Sequence, residues 1–192
     1  MQAAYFAALE TAFEALVKGA LEMISTTAAW LAFFLFAATM TYAGVRDVAT
    51  MTIPNRLVAF LLVAFAVFAP LAGVELSTIW SSTLVASAVL ACTFTFFALG
   101  WIGGGDAKLL PVAVLWLGPD LALHFVVYAS VLGAVLTLSL LQFRRVPLPV
   151  ILKKRAWSSR LHQPQSGIPY GAAMAPAALL LLPESHWLSA IL

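Results

Sequence analysis

Two carboxylates in this chain sit beside long apolar runs. Asp47 closes one such run, and Asp106 follows three glycines in Trp101-Ile102-Gly103-Gly104-Gly105-Asp106-Ala107-Lys108. Two buried carboxylates near each other repel when both are ionised, so they tend to hold one proton between them. An acid and a base then stand side by side. One carboxylate draws a proton from water as it attacks a peptide carbonyl, and the other protonates the departing amine. Titration belongs to the pair, so Asp47 and Asp106 are given no separate roles.

What positions them is set by composition. Of 192 residues, 63% are hydrophobic and only 9% charged, and the mean hydropathy is +1.01. A soluble domain carries roughly 25% charged residues, so this chain lacks the polar surface to cover a water-soluble globule. Several apolar runs are long enough to cross a bilayer, which takes ~20 residues as a helix, and they lack the alternation of a membrane barrel. The expected fold is therefore all-α and polytopic. Residues 1–23 place Phe6, Leu9, Phe13, Leu16, Val17 and Leu21 at helical spacing among Glu10, Glu14, Lys18 and Glu22. They read as an amphipathic segment, either along the membrane surface or packed on the bundle. Residues 24–192 read as one membrane domain. Its spans are expected near Ile24–Val45, Leu57–Ala72, Thr78–Ile102, Ala107–Leu117, Leu121–Phe143 and from Ile168 onward.

Charge orients six such spans. Arg46, Arg56, Lys108, Arg144, Arg145, Lys153, Lys154, Arg155 and Arg160 fall on one side, while Glu10, Glu14, Glu22, Glu75, Asp120 and Glu184 fall on the other. The positive-inside rule puts the basic connections in the cytoplasm and both termini outside. Asp47 and Asp106 then share the cytoplasmic side. From Ala107 to Leu117 is only ~16 Å of helix against a ~30 Å hydrocarbon core. If that helix reaches the far interface, Asp106 lies within the membrane's depth, where an ionisable residue marks a functional candidate. Gly103, Gly104 and Gly105 permit unusual backbone angles and close approach of another chain. The same residues would equally serve a tight turn with Asp106 capping the next helix. Pro54 and Asn55, in Asp47-Val-Ala-Thr-Met-Thr-Ile-Pro-Asn-Arg-Leu57, suit a turn before a new helix.

The three blocks together resemble the prepilin peptidase (type IV leader peptidase) family of GxGD membrane aspartic proteases, and more narrowly its short tight-adherence (Flp) branch. They are Asp47 with Ile53-Pro54-Asn55, the Gly103–Lys108 block, and Gly167-Ile168-Pro169-Tyr170-Gly171-Ala172. The resemblance implies an aspartic endopeptidase of the bacterial inner membrane with Asp47 and Asp106 as its catalytic pair. Its substrates would be prepilins and pseudopilins, cut at the cytoplasmic face between a short basic leader and a hydrophobic segment. Gly103 and Gly105 match the motif glycines, Lys108 follows the motif, and Pro169 and Tyr170 would shape the end of the sixth span. No cysteine-rich zinc segment is present, so neither metal, cofactor nor methyl transfer is expected. Val48–Thr52 lacks the basic residues expected of that loop.

The remaining signals are structural. Cys92 is a lone small residue in an apolar run, and His124, His162 and His186 have no metal-ligand spacing. The basic loop from Arg144 to Arg160 sets topology and suits anionic lipid headgroups; no nucleic-acid partner is implied. A small proton- or cation-coupled transporter using the same buried acids is the alternative, weakened because no internal repeat is visible.

Overall fold

The computed structural model describes residues 2–189 and is helical, with no strand among the described residues. Met1 of the N-terminal segment and residues 190–192 of the membrane domain lie outside the described residues. The main helices are α1 (Gln2–Thr50), α2 (Asn55–Leu71), α3 (Leu76–Ala98), α4 (Gly104–Leu117) and α5 (Pro119–Arg145). After two short helices in the basic loop, α6 (Val150–Lys153) and α7 (Ala156–His162), come α8 (Gly171–Leu181), a 3₁₀ turn at Leu182–Glu184 and α9 (His186–Ser189). Among the described residues, three segments are long and apolar enough to cross a membrane: Leu9–Thr50 of α1, α3 and α5. Helices α2, α4 and α8 are shorter, at 17, 14 and 11 residues.

The N-terminal segment and the first expected span form one helix. Its 49 residues extend about 73 Å. No proline interrupts it, and Gly19 is tolerated within it. What changes near residue 24 is the surroundings: Phe6, Leu9, Phe13, Leu16 and Leu21 are exposed, and among the described side chains burial begins at Ala28. The sixth expected span is shorter than the sequence suggests, because α8 starts after Pro169 and gives way to a 3₁₀ turn at Pro183.

Helix α4 is the centre of the bundle. Leu109 and every residue from Pro111 to Leu117 are buried, as expected for a helix that is apolar all round. At its Leu117 end Trp116 stacks on Phe36 with ring centroids 5.1 Å apart and lies 5.0 Å from Trp187. The indole N–H of Trp116 donates to Leu61 O at 3.0 Å, and that of Trp187 to Trp116 O at 2.7 Å. This end is fixed in depth and rotation.

Small residues close the rest of the packing. A Cβ on Gly44 of α1 would fall 2.8 Å from Ala175 Cβ of α8, and one on Gly133 of α5 only 2.9 Å from the Tyr170 ring. Helices in lipid associate through such close contacts because apolar burial gives little extra drive there.

Pro111 inside α4 has no N–H for the carbonyl of Ala107, one turn earlier. Thr93 of α3 supplies the missing donor: its hydroxyl reaches Ala107 O at 2.9 Å, closer than Leu90 O of its own helix at 3.1 Å. Thr93→Val keeps the shape and orphans that buried carbonyl, so it should destabilise the protein by about 1–3 kcal/mol. Unfolding in detergent, with Thr95→Val as the exposed control, checks this.

Candidate active site

Asp47 lies in the last turn of α1 and is only 5% exposed. Its Oδ2 accepts a hydrogen bond from the backbone N–H of Gly171, the first residue of α8, at 2.7 Å. The approach requires glycine: a Cβ on Gly171 would sit 2.8 Å from Asp47 Oδ2 and 3.0 Å from Asp47 Cβ. Helix α1 ends immediately beyond. Met51 turns left-handed at φ 55°, and its N–H donates to Asp47 O at 2.8 Å. The reversed chain then leads into Ile53, Pro54 and Asn55.

Asp106 lies in the first turn of α4, three residues after the N-cap, Gly103. That is the favourable end of the helix dipole for a negative charge. The three glycines answer to three different neighbours. A Cβ on Gly103 would meet Asp106 Oδ2 at 3.0 Å, one on Gly104 the Phe97 ring at 3.0 Å, and one on Gly105 Ile53 Cβ at 3.3 Å. None of the three has a positive φ. They serve close approach, and unusual backbone angles play no part.

Both aspartates line one cavity of about 620 Å³, whose wall also includes Gly103, Gly104, Gly105, Lys108 and Tyr170. These sequence-predicted residues come together although separate stretches of chain carry them. The other three stand aside. Asn55 reaches the site only through Lys108, whose ammonium donates to Asn55 Oδ1. Pro54 borders a different cleft, beside Arg46 and Arg56. Pro169 is fully buried, within the strap formed by residues 166–171. Asp106 and Tyr170 also face a second, smaller cavity of about 180 Å³ between α4, α5 and α8. Residue types alone did not single out Gly171, Ile53 or Met51 as part of the site. A signal existed for Gly171, since a glycine directly after Pro169-Tyr170 at a helix start marks a backbone that something must approach.

The sequence model of the type IV leader peptidase family matches residues 34–138. The chain belongs to that family. The matched stretch holds both aspartates and all three glycines, and it stops before the strap and α8. No curated protein and no solved structure matches the chain. Membership carries a leader-peptidase role and substrates of the prepilin type, and the apolar helices fit a membrane peptidase. Among the described residues no cluster of His, Cys, Asp and Glu suits a metal ion.

For this leader peptidase family member, Gly171→Ala drives a methyl group into Asp47, so leader cleavage should fall roughly tenfold or more. Gly19→Ala, remote from the site and where a Cβ meets nothing within 4 Å, should keep wild-type rates in the same assay. Met51→Gly removes the cost of a left-handed side-chain residue and should raise unfolding stability by about 1 kcal/mol.

Proposed function

We propose that this chain is an intramembrane aspartic endopeptidase that removes the leader of Flp-like prepilins and pseudopilins, with Asp47 and Asp106 as its catalytic pair. The observation that carries this is the shared cavity: two acids from helices far apart in sequence open onto one space. Gly100 and Gly167 of its lining have open space where a side chain would stand, room for an extended peptide backbone.

The chemistry derives from the pair. Water bound between the carboxyls loses a proton to the ionised one as its oxygen attacks the scissile carbonyl. The protonated partner then gives its proton to the amine as the C–N bond breaks. The products are a new carboxyl and a new amino terminus. The carboxyls have exchanged protonation states, and one proton transfer resets them. Gly171 N–H fixes the orientation of Asp47, and the α4 N-terminus holds Asp106.

The active site faces the cytoplasm in this proposal. Arg144 and Arg160 bond backbone carbonyls at the Asp47 end of the bundle, so that end gathers cations, as the positive-inside rule requires of a cytoplasmic face. Helices α2, α4 and α8 complete six spans in the bacterial inner membrane, with both termini outside and α1 extending beyond the bundle.

Purified protein in detergent, given one leader-bearing prepilin, tests the dyad. Asp47→Asn and Asp106→Asn should each lower cleavage by at least about a thousandfold, with unfolding midpoints close to wild type. Substantial cleavage by either folded variant would refute the catalytic pair.

A further inference from the structure

The loop between α5 and α8 carries a charge cluster whose sequence meaning is topological. Its first residue does something more specific. Arg144, half-buried at the end of α5, donates from Nε to Leu161 O at 2.8 Å. From its second terminal nitrogen it reaches Ser166 O at 2.8 Å, Ser166 Oγ at 3.2 Å and Gly167 O at 2.9 Å. A guanidinium presents five donors in a rigid planar fork, whereas an ammonium is a compact charge with three rotatable donors and no fixed geometry. Arg160, on the same loop, donates to Ala49 O in the last turn of α1, two residues beyond Asp47. The loop is thus tied to α5 by one arginine and to α1 by the other.

The clamped carbonyls of Ser166 and Gly167 open the strap at the site. Gly167 and Ile168 line the dyad cavity. Pro169 is buried, and the Tyr170 ring lies against Gly133 of α5. Gly171 then presents its N–H to Asp47. Between the Arg144 fork and that N–H lie only Ile168, Pro169 and Tyr170, so a displacement at Gly167 has little chain in which to dissipate.

We propose that Arg144 is a positioning residue for the dyad, holding the strap so that Gly171 N–H meets Asp47, with Arg160 completing the tie to α1. This rests on the assignment of Asp47 to catalysis. The guanidinium acts from behind the strap and does not line the cavity, so its loss should act on turnover more than on substrate binding.

The test compares Arg144→Gln, Arg144→Lys and Arg145→Gln in the full-length protein, the last removing the neighbouring cation. Arg144→Gln should lower kcat about 10- to 100-fold, because small misplacement of catalytic groups has effects of that size, while KM changes less than about twofold. Arg144→Lys should recover part of the loss, and Arg145→Gln should match wild type. In parallel, trypsin in detergent should cut after Arg160 faster in Arg144→Gln than in wild type. Wild-type kcat in Arg144→Lys would overturn the proposal by showing that charge alone suffices. So would a loss confined to KM, an equal loss in Arg145→Gln, or unchanged protection at Arg160. Absence of prepilin cleavage by the wild type would instead sink the catalytic assignment, and the protection experiment would still decide whether Arg144 holds the strap.

Discussion

A helix of 14 residues cannot cross the hydrocarbon alone, being about 9 Å too short. In the six-span arrangement proposed above, such a helix ends at membrane depth, where its terminal backbone groups and any polar residue must be enclosed by protein or a wet cavity. Helix α4 meets that constraint in two ways. Its Trp116 end is sealed by stacked aromatics whose indole N–H groups satisfy backbone carbonyls. Its Asp106 end opens into the cavity that also receives Asp47. Sealing one end and wetting the other places a carboxylate inside the bundle while leaving it access to water.

The second requirement is proximity without bulk. Asp47 is held by a peptide N–H that can reach it only because residue 171 has no side chain, and Asp106 turns back over the equally bare Gly103. Gly105 lets Ile53 settle on the start of α4, which brings the loop after Asp47 against the loop before Asp106. Glycine is used here for closeness. Where the chain needs a left-handed turn at the site, it uses Met51 after Asp47 and Gly100 before the glycine run.

Much of this was legible from residue types. Asp47, Asp106, the three glycines, Lys108 and Tyr170, picked out by residue type and by resemblance, line one cavity, and the short fourth helix, expected over Ala107–Leu117, begins three residues earlier at Gly104. The continuity of α1 was not legible, because a change from amphipathic to apolar composition looks like a boundary even when no residue breaks the helix. Nor were the duties of Arg144, Arg160 and Thr93. Each bonds a backbone carbonyl distant in sequence, and every residue carries a carbonyl, so no side-chain pattern announces such a partner. Pro54 and Asn55 were legible as a turn, yet they support the site from outside it.

The bond from Thr93 to Ala107 restricts how this molecule can flex. Sliding α3 along α4 would strip the one donor offered to a carbonyl that Pro111 has left bare, and Gly104 is already wedged against Phe97. The two helices therefore travel as a single slab. Any breathing of the cleft around a peptide must occur along the opposite seam, where α1 and α8 carry the other carboxylate as their own joined unit.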